Sequence, residues 1–142
     1  MDQTLSSVNV LVVDDDPLIR NLLTDTLEMY GATVTAVATA REALTTLEAW
    51  RPDVLLSDLQ MPDKDGYWLI RQVRALAPER GGMTPAACLT GVVEPEDGAG
   101  LLRAGFQYHL PKPIPLVRLI GIVGSLASSG DAMSSPLVAG HA

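Results

Sequence analysis

Pro52–Arg74 reads PDVLLSDLQMPDKDGYWLIRQVR: a strand, a loop and a helix in immediate succession. Pro52 ends the helix before it, since proline lacks the N–H that a helix interior needs. Asp53–Ser57 (DVLLS) forms a short apolar strand that leads into Asp58. The loop Leu59–Asp65 (LQMPDKD) follows, and Leu69, Ile70, Val73, Leu76 and Ala77 then recur at helical spacing.

The same alternation extends outward in both directions. Upstream, Val8–Val13 (VNVLVV) is a first strand, followed by Asp14, Asp15 and Asp16. Asp16 before Pro17 is an N-cap with proline at the first helical position. Leu18, Ile19, Leu22, Leu23, Thr26, Leu27 and Tyr30 continue that helix to Gly31. Ala32–Val37 is a second strand, and Thr39 with Glu42 has the spacing of a capping box that opens a helix ending at Trp50. Downstream, Ala77–Pro85 is a surface loop and Ala86–Thr90 a fourth strand. Pro95–Ala104 is a helix weakened by Gly98 and Gly100, each costing about 1 kcal/mol against alanine. Gln107–Leu110 is a last strand, and Leu116, Leu119, Ile120, Val123 and Leu126 line a last helix. One domain over residues 8–127 is expected, with residues 1–7 and 128–142 as flexible termini.

Strands alternating with helices imply an α/β fold with a parallel sheet covered on both faces. Right-handed crossovers place all the strand C-terminal ends along one edge, where such folds keep their sites. Asp14, Asp15, Asp58, Thr90 and Lys112 all fall at or just beyond those ends. Three carboxylates at close quarters raise one another's pKa values, and a hard cation such as Mg²⁺ resolves the conflict. Asp58 is then placed to act as an oxygen nucleophile toward phosphorus, with Mg²⁺ and Lys112 neutralising charge and Thr90 donating a hydrogen bond. Each residue also has a plainer reading: a cap or turn for the aspartates, a strand position for Thr90, a solvated loop charge for Lys112. Their joint placement at one rim is what favours chemistry.

Composition bounds the setting. With 47% hydrophobic and 19% charged residues among 142, the chain is globular and of single-domain size. No apolar run approaches the roughly 18 residues that cross a bilayer, and the first residues do not form a signal peptide. Cys88, the one cysteine, reads as a buried core thiol and fits a reducing cytoplasm. A net charge of −7 disfavours a nucleic-acid partner.

The segments VLVVDDDPLIR (Val10–Arg20), Pro52–Arg74, CLTG (Cys88–Gly91) and AGFQYHLPKP (Ala104–Pro113) together resemble the response-regulator receiver family. The resemblance spans about Val8 to Leu126. It implies a doubly wound five-stranded sheet of flavodoxin-like order 2-1-3-4-5 flanked by five helices. It also implies a phosphoryl group accepted on Asp58 from a phosphohistidine of a histidine kinase or phosphotransfer protein. Mg²⁺ would be held by Asp15, Asp58 and the Gln60 backbone carbonyl, with Asp14 acting mainly through water. Thr90 and Lys112 would contact the phosphoryl group, and the Lys112–Pro113 bond would be cis. Such a chain is a signalling domain that catalyses its own phosphorylation and dephosphorylation, not an enzyme with other substrates. Its output would pass through contact with a downstream protein, either as a stand-alone regulator or as a receiver of a larger hybrid kinase.

Two positions depart from the family pattern. His109 stands where the family's switch aromatic belongs, with Tyr108 beside it on the opposite face of the strand, and Gly91 replaces the usual alanine or other small side chain after Thr90. The pattern with histidine looks most like receivers that serve hybrid kinases. The phosphorylation signal is therefore expected as altered order in Val92–Ala104, with His109 responding secondarily. An aspartate-nucleophile phosphatase is disfavoured, because Leu59 and Gln60 follow Asp58 where that class places a second aspartate two residues on. A receiver that only binds partners is disfavoured because every catalytic position is filled.

Overall fold

Local sequence signals set the element boundaries of the computed structural model, which describes residues 4–91 and 95–132. Strand β1 (Asn9–Val13) leads to helix α1 (Pro17–Met29), whose N-cap is Asp16: its carboxylate accepts the Leu18 N–H at 2.9 Å. After β2 (Thr33–Val37), the Thr39 hydroxyl accepts the Glu42 N–H at 3.1 Å and opens α2 (Ala40–Trp50). Strand β3 (Val54–Asp58) is followed by α3 (Gly66–Ala75), capped by Asp65 through the Trp68 N–H at 2.8 Å. Then come β4 (Ala86–Thr90), α4 (Pro95–Ala104), β5 (Tyr108–Pro111) and α5 (Leu116–Ala132).

The five strands are parallel in the order β2-β1-β3-β4-β5, the order the resemblance implied. Alternate side chains of each central strand enter two separate cores. Val10, Val12, Leu56 and Leu89 pack with Leu23 and Leu27 of α1 and Leu119 and Val123 of α5. Leu11, Val13, Leu55 and Cys88 pack on the other face with Leu47 of α2, Leu69, Ile70 and Val73 of α3 and Leu101 of α4. Strands β3 and β4 are buried along their whole length, which is why their sequences are almost uniformly apolar.

The ends of the chain differ from the sequence expectation. Residues 4–7 form a turn whose Leu5 is fully buried, with its N–H on the Tyr30 carbonyl at 2.8 Å, so packing begins ahead of Val8. A single leucine in a polar run gives no periodic signal, but α1 and α5 leave a place for it in their shared core. At the other end α5 continues to Ala132 rather than stopping before Ser128. Gly130 weakens a helix by about 1 kcal/mol without ending it, and the first proline comes only at Pro136. Residues 1–3 and 133–142 lie outside the described residues, as does 92–94 of the segment expected to change order. Among the described residues no helix is long and apolar enough to cross a membrane.

Candidate phosphoacceptor site

Four strand ends converge at one rim of the sheet. Asp58 is the last residue of β3 and only 5% exposed, and Thr90 is the last of β4 and 2% exposed. Asp14 follows β1 and is fully buried, whereas Asp15 beside it is exposed. Lys112 follows β5. Its ammonium lies 3.2 Å from Asp14 Oδ2 and 3.3 Å from Asp58 Oδ1, and its backbone N–H is on the Thr90 carbonyl. The Lys112–Pro113 bond is cis. Carboxylate oxygens of Asp14, Asp15 and Asp58 all lie within 4.8 Å of one another. Gln60 sits exposed in the loop beyond Asp58.

Charge at this rim is unbalanced. Burial raises the Asp58 pKa, the Asp14 carboxylate raises it further, and Lys112 offsets this only in part. Burial pulls the Lys112 ammonium down, but attraction to Asp58 and Asp14 outweighs it and leaves the pKa raised. Three acidic groups therefore share one ammonium, the condition under which a hard cation gains most from oxygen ligands. A second imbalance is one of hydrogen bonding. The Thr90 hydroxyl is buried and has no hydrogen-bond partner among the described residues. A divalent cation and a group rich in acceptor oxygens fit the residues present.

Asp14 is the most constrained member. Its N–H donates to the Val37 carbonyl at 3.2 Å, and its Oδ1 accepts the Asp16 N–H at 2.9 Å. Its carbonyl accepts the Arg20 guanidinium at 2.7 Å. Sequence reasoning passed over Arg20, since an arginine on the first turns of a helix carries no distinguishing signal. It also passed over Gly66. A Cβ there would meet the Asp58 carbonyl oxygen at 2.6 Å, so only glycine lets α3 start against the strand end that presents Asp58. The Asp-Gly pair at the head of that helix was the available clue.

The remaining singled-out residues lie nearby. His109 is half-buried and pairs in register with Cys88, while Tyr108, 42% exposed, pairs with Ala87. Cys88 and Ala87 belong to opposite cores, so Tyr108 and His109 do face opposite ways. Burial pushes the Cys88 thiol far up, in keeping with an inert core group.

The family model for the response regulator receiver domain matches residues 10–124. Over 121 residues the chain is 46% identical to an uncharacterised 14.6 kDa protein of Leptolyngbya boryana, covering 85% of this chain and 91% of that one. It is 36% identical over 120 residues to response regulator MprA of Mycobacterium ulcerans, covering 84% of this chain but only 50% of MprA. The solved receiver domain of Francisella response regulator 1452 superposes with a TM-score of 0.80 at 28% identity, covering 87% of this chain and 98% of that one.

Proposed function

Because the chain belongs to the response regulator receiver family, we propose that it is a switch that takes a phosphoryl group onto Asp58. The observation that carries this reading is the buried Asp58 carboxylate, paired with Lys112 at a rim where the Thr90 hydroxyl has no partner among the described residues. The donor is a phosphohistidine of a histidine kinase or phosphotransfer protein. An ionised oxygen of Asp58 attacks phosphorus, an O–P bond forms as the P–N bond to the donor imidazole breaks, and the imidazole retains the electron pair and takes up a proton. Asp15, Asp58 and the Gln60 carbonyl would hold Mg²⁺, with Asp14 acting through water, and the bound ion would supply positive charge against the phosphoryl oxygens. Lys112 holds one of those oxygens, and the Thr90 hydroxyl turns to donate to another, which satisfies it for the first time. That new bond draws on the end of β4 and so alters the surface beyond it, which a downstream protein reads. The reducing cytoplasm is the compartment that fits this partnership.

The test is chemical. Incubation with a small phosphodonor and Mg²⁺ adds one acid-stable, base-labile phosphoryl group to the wild type and none to Asp58→Asn, and a chelator blocks the reaction. Undiminished labelling of Asp58→Asn would refute the assignment.

A further inference from the structure

The exposed Asp15 carboxylate has no side-chain partner among the described residues, so its aim depends on its backbone. That backbone is held from one side. The Arg20 guanidinium of α1 reaches back across the β1–α1 turn and donates through Nη1 to the Asp14 carbonyl at 2.7 Å. The contact is partly buried, so solvent competes with it less than at an open surface. A carbonyl oxygen lies in one plane with the next residue's N–H and Cα, so fixing Asp14 O fixes the plane from which the Asp15 Cα departs. Asp14 itself is tied to β2 by its N–H and to Asp16 and Lys112 by its carboxylate. Arg20 is thus the group of α1's body that locks the hinge between a rigid Asp14 and an unsupported Asp15.

We propose that Arg20 is a positioning residue for the cation site: it directs the Asp15 carboxylate by clamping the Asp14–Asp15 peptide. The proposal rests on Asp14, Asp15 and Asp58 holding Mg²⁺, as argued above. Arg20 touches neither cation nor phosphoryl group. Its effect falls on how much Mg²⁺ is needed, because a loosened Asp15 must be ordered again by the cation that it binds. Groups that orient metal ligands lower affinity by about 10–100-fold when removed.

Calorimetric Mg²⁺ titration of the full chain distinguishes the outcomes, with folding of each variant checked by melting in chelator. Arg20→Ala is expected to raise the Mg²⁺ dissociation constant at least about tenfold, and Arg20→Lys, which keeps a donor, to recover part of the loss. Arg103→Ala, the same loss of charge at the far end of α4, is expected to leave the constant where it was. Should Arg20→Ala not fold, Arg20→Gln carries the same expectation. In the phosphodonor assay the Mg²⁺ dependence of labelling shifts upward by the same factor. Wild-type Mg²⁺ binding with Arg20→Ala within about twofold of it, or an equal loss in Arg103→Ala, would overturn the role of Arg20 alone. Failure of the wild type to bind Mg²⁺ would overturn the cation site and this role together.

Discussion

Replacing Asp58 by asparagine should make the metal-free protein more stable, although it removes the charge from an ion-paired side chain. Asp58 faces two carboxylates, each with an oxygen within 4.8 Å, and one ammonium at 3.3 Å. At an effective dielectric near 20, each repulsion at that separation is about 3.5 kcal/mol and the attraction about 5 kcal/mol. The balance is unfavourable by about 2 kcal/mol before burial adds to it, and the exposure of Asp15 screens part of that repulsion. Asparagine keeps the shape and an acceptor for Lys112, so the expected gain is about 1–2 kcal/mol, a rise in Tm of roughly 3–8 °C for a chain of this size. The pH dependence has a fixed sign. The Asp58 pKa is raised in the folded state, so ionisation costs stability progressively as pH climbs from the unfolded value of about 3.9 through the folded one. The advantage of Asp58→Asn is therefore full above the folded pKa and shrinks as pH falls toward the unfolded value. Urea and thermal melts in chelator, repeated at descending pH, measure both. Asp58→Asn that is less stable than wild type at neutral pH would show that the Lys112 pairing outweighs the crowding and that the rim is not strained.

Two further substitutions probe the surroundings. Thr90→Val removes a buried hydroxyl that has no partner among the described residues, so it should be neutral or stabilising by up to about 1 kcal/mol in chemical denaturation, while slowing phosphodonor labelling; a loss above about 1 kcal/mol would mean the hydroxyl is satisfied in solution. Arg74, whose guanidinium donates to the Gly82, Thr84 and Gly105 carbonyls at 2.7–3.0 Å, ties α3 to the turns on either side of it. Arg74→Ala should cost about 2–5 kcal/mol by urea midpoint with Mg²⁺ affinity retained, because the bonds are charge-assisted and lie at the opposite end of the sheet.

How far the sequence disclosed this molecule depends on whether a signal is periodic. The strand–helix alternation was legible because apolar runs and caps such as Asp16 and Thr39 act locally, and Asp14, Asp58, Thr90 and Lys112 were legible because each ends or directly follows a strand. Asp65 caps α3 from the end of an irregular loop, where no apolar spacing marks it as a cap. Leu5, Arg20 and Arg74 were not legible. Leu5 acts through Tyr30, Arg20 through Asp14, and Arg74 through Gly82, Thr84 and Gly105, and no apolar periodicity along the chain encodes such contacts. The extension of α5 past Ser128 was missed for a related reason: serine and glycine are compositional signs of a tail, but they do not outweigh a helix already propagating from a packed core.

The features that would make this rim reactive under the proposed function are the same ones that weaken it. A core selected for stability alone would pair the Thr90 hydroxyl, or replace it by valine, and would not bury Asp58 beside Asp14 with one ammonium between them. Both faults point to the same remedy. On the proposed function, a cation would answer the surplus of carboxylates, and the oxygens of a phosphoryl group would answer Thr90 and Lys112. Neither ligand suffices by itself: a phosphoryl group without a cation adds negative charge to an acidic cluster, and a cation without it leaves the hydroxyl unpaired. The two should therefore bind cooperatively, each removing the penalty that opposes the other, with the coupling free energy drawn from strain already present in the unloaded fold.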